Sequence, residues 1–339
     1  MNGLIREALD WIDHRTGLET AVNNLMSEEI PASAGWRQVF GSVTLFLFLI
    51  QIFTGILLAF NYAPQPGAAY YSLQHIVEQL TGGRLIRGLH HWGSILMIIM
   101  AVVHMIQVAL WGGYKKPRET TWIVGVFLLL LVLGFGLTGY LLPWDNRAYW
   151  STVVTIQIAG LAPGLGETMM RLLGSSDGSV GVVTFSRFYS LHVLVLPAVT
   201  VGLIWLHLRL VRKHGVTPEP ADAQLPTGRF YPQQAYKDTV VVFIAFAVLF
   251  VMAVAVDVPL ERLADPTDTT YVPRLEWYFL FLFQTLKFFE GSMEVVGAVV
   301  LPTLAILALL LVPFFDRSAM QRIGQRAMAF VIVGLAAVG

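Results

Sequence analysis

The 339-residue sequence contains no cysteine. That excludes a disulfide, an iron–sulfur cluster held by this chain and a thioether-attached haem, so any such centre has to sit on a partner. Charge is scarce as well: 13% of residues are charged against 56% hydrophobic, and the mean hydropathy is +0.66. A soluble chain of this length needs a far more charged surface, so the composition is that of a polytopic membrane protein. Basic and acidic residues balance at 22 each, and nothing in that balance favours nucleic acid as a partner. Residues 1–30 lack a long apolar run, so no cleavable signal peptide is expected.

What is there is apolar runs of the ~20 residues needed to cross ~30 Å of hydrocarbon. They are expected at 38–60, 88–111, 121–142, 188–208, 239–258 and 295–314. A seventh run, Ala327–Gly339, has 13 residues and reads as a re-entrant piece or an incomplete spanning helix. The fold class is therefore all-α, with a bundle of the first four spans followed by about three more transmembrane helices. Three regions are expected: a surface arm over 1–34, the bundle over 35–215 and a C-terminal unit over 216–339. Residues 3–27 place Leu4, Ala8, Trp11, Ile12, Leu18, Val22 and Leu25 among charges, the pattern of an amphipathic helix lying on membrane lipid. Of the 22 Lys and Arg, 14 fall in segments on the N-terminal side and 8 on the other, with a cluster at Lys115, Lys116 and Arg118. The N-terminus is thus expected on the cytoplasmic, negative side of a bacterial inner membrane or an equivalent energy-transducing one. The longer loops 143–187 and 257–294 fall on the positive side. Their semi-apolar stretches Trp150–Leu173 and Trp277–Phe289 read as lids on the membrane surface.

Histidines stand inside two of these spans in matched pairs. His90 and His104 are 14 residues apart, and His192 and His207 are 15 apart. At ~100° per residue those steps return to within ~40° and ~60° of the starting face, after a climb of ~21–22 Å. One intervening span separates the two helices, so they run in the same direction. His90 is then level with His192, and His104 with His207. Two helices offering level imidazoles can hold one bis-histidine haem near each face, roughly 20 Å apart by helix rise. With both axial positions filled by protein, electron transfer is the role that remains. His91 faces ~100° away from His90 and has no counterpart on the other helix; His14, His75 and His214 fall in surface segments.

Glycines repeat the period. Gly41 and Gly55 in the first span, and Gly125 and Gly139 in the third, are each 14 residues apart. Missing side chains let helices approach a flat macrocycle. Arg87 and Arg187 lie just before His90 and His192, where guanidinium groups either pair with haem propionates or anchor at the interface.

These residues resemble the cytochrome b family of Rieske/cytochrome b complexes. The resemblance is carried by Arg87-Gly-Leu-His90-His91-Trp92, by Gly112-Gly-Tyr-Lys-Lys-Pro-Arg-Glu119, by Gly139-Tyr-Leu-Leu-Pro-Trp144 and by Ser186-Arg-Phe-Tyr-Ser-Leu-His192. The 15-residue step is that of the chloroplast and cyanobacterial form, whereas mitochondrial relatives use 14. Residues 230–315 resemble the separate small subunit of that form, here continuous with the haem-binding part.

The resemblance implies two non-covalent b-type haems and a quinone, whether menaquinone, ubiquinone or plastoquinone. It implies a Rieske-type iron–sulfur protein and c-type cytochrome as partners, and a homodimeric assembly. It implies quinol oxidation at a positive-side site and quinone reduction on the negative side, with the released energy stored as a proton gradient. The family's quinol-site signature, Pro-Glu-Trp-Tyr, reads Leu275-Glu276-Trp277-Tyr278 here. Glu276 would accept the quinol proton, with Trp277 and Tyr278 beside it and Tyr149, Trp150, Val154 and Ile158 as the other wall. Pro273 offers the rigidity that Leu275 lacks. Val39 stands where the chloroplast form tethers a third haem through cysteine, so no covalent haem is expected. Arg212 and Lys213 would hold negative-side quinone or a propionate, or else serve as a positive-inside anchor; Asn24 replaces an acidic residue of the chloroplast form. The competing reading is a dihaem quinone-reactive anchor of another oxidoreductase, without electron bifurcation. A non-redox transporter using histidine relays is the more distant one.

Overall fold

The computed structural model describes residues 3–31, 34–217, 227–273 and 275–317. The expected seventh run, Ala327–Gly339, lies outside them. Helices α1 (Gly3–Thr16) and α2 (Leu18–Met26) open the chain and leave Ile5, Trp11, Leu18 and Met26 exposed. A short strand, β1 (Glu29–Pro31), leads to the first spanning helix, α3 (Phe40–Ala59). Next come a short connecting helix, α4 (Ala68–Glu78), and two long spans, α5 (Gly83–Leu110) and α6 (Glu119–Tyr140). Gly82, with φ +78°, supplies the left-handed residue that starts α5 a turn earlier than hydropathy alone suggests.

The segment after α6 forms α7 (Asn146–Gly160) and α8 (Gly166–Leu173), and the fourth span follows as α9 (Val182–Ser190) and α10 (Leu196–His214). Strand β2 (Thr227–Arg229) pairs antiparallel with β1, Glu29 opposite Arg229. It leads to α11 (Ala235–Ala255), then to the short α12 (Leu280–Leu286) and to α13 (Leu301–Phe315). Among the described residues, six helical stretches are long and apolar enough to cross a membrane: Phe40–Ala59, Gly83–Leu110, Glu119–Tyr140, Val182–His214, Phe230–Ala255 and Gly291–Phe315. The protein is all-α, with the two three-residue strands as the exception among the described residues.

Between α9 and α10 the helix widens into one π turn, Leu191–Val195, in which the Leu196 N–H donates to the Leu191 carbonyl. Pro197 follows immediately. A proline ring clashes with the carbonyl of the preceding turn of a regular helix, and a widened turn relieves that clash. The same pattern recurs at Val296–Val300, again one residue before a proline, Pro302. The turn at 191–195 holds one residue more than an α turn. The 15 residues from His192 to His207 therefore sweep about the angle of 14 regular ones, ~40° short of whole turns. The two histidine helices then match, which the plain 15-residue count conceals.

Glycines set the closest helix approaches. A side chain at Gly88 of α5 would stand 2.8 Å from the Ala253 carbonyl oxygen of α11, a contact no real Cβ makes. Trp92 reinforces that seam by donating from its indole to the Val256 carbonyl at 3.1 Å. A separate seam joins α6 to α13, where the buried indole N–H of Trp122 donates to the Leu309 carbonyl at 2.7 Å. At its end the Tyr114 hydroxyl donates to Asp316 at 2.5 Å and Lys115 pairs with the other oxygen at 2.7 Å. Both charged side chains are only 12% and 11% exposed. Removing one member of so enclosed a pair costs about 3 kcal/mol or more. Asp316→Leu is therefore expected to lower the thermal midpoint of the purified protein by several degrees, with Asp316→Ser no better. An unchanged midpoint would show that the seam does not depend on this carboxylate.

The loops between α6 and α9 and between α11 and α13 are stapled together by the start of α7. Asp145 caps α7 by accepting from the Ala148 N–H at 2.8 Å and also accepts from the Glu261 N–H at 3.0 Å. The Asn146 N–H donates to the Arg262 carbonyl at 2.9 Å. Its side-chain oxygen accepts from the Asp265 N–H at 3.0 Å. The Ala264 N–H donates to the Trp144 carbonyl at 3.1 Å. Four of these interactions fix the 261–265 segment against the bundle, and with it the loop that carries Glu276.

Candidate functional site

The rings of His90 and His192 face each other across the bundle, centroids 6.3 Å apart and planes at 70°. Two imidazoles that share one metal through bonds of about 2 Å have ring centres roughly 6 Å apart, so this pair fits a bis-histidine iron. Their outer nitrogens settle the tautomer. His90 Nδ1 is 3.0 Å from the Thr54 hydroxyl and His192 Nδ1 is 3.1 Å from the Thr138 hydroxyl. Each hydroxyl already donates its proton to a helix carbonyl, Ile50 at 2.7 Å and Gly134 at 2.8 Å. It therefore accepts from Nδ1–H, and the Nε2 lone pair remains for a metal. His104 and His207 are electrostatic neighbours at the other end of the bundle. Their Nδ1 atoms are buried without a hydrogen-bond partner among the described residues, with Gln107 and the Thr121 backbone alongside.

Each histidine is faced by one of the four periodic glycines. A Cβ on Gly55 would lie 3.2 Å from His90 Cε1, and one on Gly41 would lie 3.2 Å from His104 Cε1. On the other helix pair the distances are 3.4 Å for Gly125 to His207 and 2.6 Å for Gly139 to His192. Helix α3 thus backs the histidines of α5, and α6 backs those of the fourth span. The imidazoles stand where side chains on these glycines would otherwise be.

Other expected site residues lie differently. The Arg87 guanidinium is buried and donates to the carbonyls of Val258 and Pro259 at 3.1 and 2.8 Å. Arg187 is exposed and donates to the carbonyls of Arg171 and Leu172, at the C-terminal end of α8. Both therefore tie loops to the bundle through backbone carbonyls. Arg212 pairs at 3.6 Å with Glu28 of the N-terminal arm. Asn24 lies on the exposed face of α2. An acidic group that the sequence reading missed, Asp238 in the first turn of α11, accepts from Ser42 and Gln234 at 2.7 Å each. Ser42 adjoins Gly41, so this carboxylate sits beside the His104 end. Its signal was an aspartate at the head of an otherwise apolar span.

A small cleft opens between α6, α7 and the Leu275–Phe279 turn. Its walls are Gly136, Leu137 and Tyr140 from α6, Ser151, Thr152 and Thr155 from α7, and Leu275, Glu276 and Tyr278. The expected wall is corrected at Tyr149 and Trp150, whereas Val154 and Ile158 fall on the same face of α7 as Ser151 and Thr155 by helix phase. Tyr149 is buried against Trp144 and Phe185, Trp150 packs against the same cluster, and Ser151, Thr152 and Thr155 take the pocket side. The cause is helix phase: Asp145 caps α7, and steps of ~100° turn 149 and 150 away from the face shared by 151, 152 and 155. Gly136, another residue the sequence reading passed over, admits the Tyr278 ring, whose hydroxyl would be 2.9 Å from a Cβ there. Trp277 is about half exposed and does not line the pocket.

Glu276 is the acid in this pocket. Burial pushes its carboxyl above the ordinary carboxylate range, and the Arg147 guanidinium pulls it part of the way back. The ion pair measures 2.9 Å, with side chains 27% and 14% exposed. Burial likewise pushes the Tyr278 hydroxyl well above the usual tyrosine range, aided by the Glu276 charge.

Residues 24–215 match the family model described as Cytochrome b/b6/petB, and residues 263–338 match Cytochrome b(C-terminal)/b6/petD. The chain is 39% identical over 208 residues to cytochrome b6 of Cyanidium caldarium, covering 61% of this chain and 96% of that one. It is 35% identical over 221 residues to the menaquinol:cytochrome c reductase cytochrome b subunit of Geobacillus thermodenitrificans, covering 63% and 99%. A solved chain of a hyperthermophilic respiratory Complex III superposes with a TM-score of 0.85 at 28% identity, over 97% of this chain and 90% of that one. With the first family model alone spanning more than half of its length, the protein belongs to the cytochrome b/b6 family.

Proposed function

We propose that this chain is the dihaem cytochrome b subunit of a quinol-oxidising complex and moves electrons across an energy-transducing membrane. The membrane-integral, electron-transferring role follows from the family and the six apolar helices. The observation that carries the finer reading is the set of four glycine–histidine couples, two near each end of the bundle. His90 with His192 and His104 with His207 would hold one b-type haem each. Haem held by these histidines would supply one-electron transfer.

The chain's own residues supply the rest. Thr54 and Thr138 orient the first pair by accepting from Nδ1–H, which raises ligand basicity and fixes each ring. Glycines 41, 55, 125 and 139 keep α3 and α6 clear of the imidazoles. Gly136, Tyr140, Thr152 and Tyr278 shape the quinol pocket, and Glu276 takes the quinol hydroxyl proton as a general base whose affinity is raised by burial. Asp238 beside Ser42 is the acidic group for proton uptake at the opposite end. The N-terminal arm, with the cluster Lys115, Lys116 and Arg118, faces the negative side. A Rieske-type protein and a c-type cytochrome are the partners this assignment requires, since the chain has no cysteine to hold an iron–sulfur centre itself.

Redox titration of the purified complex, with its subunits identified, tests the proposal. Two b-type components of different midpoint potential together with a Rieske signal are expected. A single component, or a complex without a Rieske centre, would instead make the chain a quinone-reactive anchor.

A further inference from the structure

Three consecutive residues at the head of α7 reach the loop that carries Glu276. Asp145 and Asn146 hold its backbone, as described above, and Arg147 holds the carboxylate itself through Nη2 at 2.9 Å from Oε1. We propose that Arg147 is a positioning residue for quinol oxidation: it anchors the Glu276 carboxylate at the pocket as the proton acceptor and lets it go once it has taken the proton. The inference rests on the assignment of Glu276 given above.

The pair is largely shielded from water, where an ion pair is worth more than on an open surface. The guanidinium is also held independently of Glu276. It lies over the Tyr140 ring at 5.5 Å and interacts with Asp145, whose carboxylate is fixed by two backbone N–H groups. It therefore stays in place when Glu276 becomes neutral. Glu276 has an extended backbone, φ −60° and ψ 150°, just before the single turn Trp277–Phe279. Leu275 gives that backbone no ring constraint, and a side-chain tether 129 residues away in sequence does the aiming instead.

Among the described residues, the titratable groups around Glu276 are few. Arg147 and Asp145 approach from α7, Tyr140 from α6 and Tyr278 from its own turn. Glu261 and Tyr271 act on Asp145 or feel its charge, and His91 of α5 feels the charges of Arg87 and Arg147. Among the described residues, Arg147 is the cation whose charge acts directly on Glu276.

The step balances simply. The quinol O–H bond breaks and an O–H bond forms on Glu276, while the quinol's electrons leave to the one-electron acceptors named above. The carboxylate becomes a neutral carboxyl, and the ion pair with Arg147 becomes a hydrogen bond from the guanidinium to an uncharged oxygen, without the charge–charge attraction. That weaker contact frees the carboxyl to turn toward water and release its proton.

The test compares Arg147→Met, Arg147→Lys, Glu276→Gln and the Met/Gln double variant in the whole purified complex, measuring quinol:cytochrome c turnover against pH. Loss of the nearby positive charge raises the proton affinity of Glu276, so the acidic limb of the profile in Arg147→Met should move up by about one pH unit. Turnover at the acidic end should then fall about tenfold. Arg147→Lys should recover most of the shift, b-haem spectra should be unchanged, and the double variant should be no slower than Glu276→Gln. A uniform loss at all pH values without rescue by lysine, or a cost that adds to that of Glu276→Gln, would overturn the proposal. Should Arg147→Met fail to assemble, Arg147→Gln with the lysine variant gives the same comparison. If Glu276→Gln alone leaves turnover and pH profile unchanged, it is the assignment of Glu276 that has failed.

Discussion

Gly139→Ala is expected to abolish one of the two b-haem signals, while Gly125→Ala leaves both. The two glycines occupy equivalent places on α6, each facing an imidazole of the fourth span, yet the room they leave differs. A Cβ at 139 would stand 2.6 Å from His192 Cε1 and 3.1 Å from Nδ1, inside any real carbon contact. At 125 the closest ring atom is 3.4 Å away, an ordinary van der Waals distance. His192 cannot yield cheaply, since its Nδ1 is held by Thr138, one residue from Gly139, and Phe135 packs edge-on against its ring at 5.5 Å. A metal–imidazole bond of about 2 Å tolerates displacements of only a few tenths of an ångström. Difference spectra of the purified variants, with haem quantified per chain, check the expectation. Equal loss in both, or in neither, would show that the glycines are not there to make room for the histidines. Gly41 and Gly55, at 3.2 Å each, should fall between the two extremes.

Glu276→Gln is expected to slow quinol oxidation by about 100-fold or more, the usual contribution of a positioned general base, while both haem spectra stay intact. Glutamine keeps the size and much of the hydrogen bonding to Arg147, so the pocket should still bind quinol and the loss should appear in kcat rather than KM. Because burial raises the Glu276 pKa, the unmodified protein should lose activity as pH falls through that raised value and the carboxylate becomes protonated. The variant has no carboxylate to titrate, so this limb should vanish from its profile. A variant within about twofold of the parent at every pH would mean that another group takes the proton.

Much of this could be read from the sequence because it depends on local spacing. The six spans follow from apolar length, and the histidine and glycine pairs from the helical period. Other features depend on contacts between distant segments. The Arg147–Glu276 pair joins residues on two loops whose mutual approach is set by the Asp145 and Asn146 staple, and no periodicity announces it. The pocket wall was misplaced at Tyr149 and Trp150, because a stretch of residues was read without the phase of the helix that carries it. Recognising Asp145 as the N-cap would have fixed the phase of α7 and turned Tyr149 inward. Arg87 was legible as a cation one turn before His90, but its carbonyl partners at Val258 and Pro259 lie in another loop. The N-terminal helices and the apolar stretch Trp277–Leu286 show how amphipathic pattern identifies a surface element without saying what it will cover.

The widened turn at Leu191–Val195 also bears on how such a chain can change over generations. In a regular helix, inserting or deleting one residue between two ligands rotates one of them by ~100° and destroys the pair. Where a π turn stores the surplus residue, a single deletion is absorbed as the turn tightens to a regular one, and both histidines keep their bearing. A spacing of 15 with the bulge and a spacing of 14 without it are then neighbouring solutions, reachable in one step without an inactive intermediate. Pro197 holds this chain on the longer of the two.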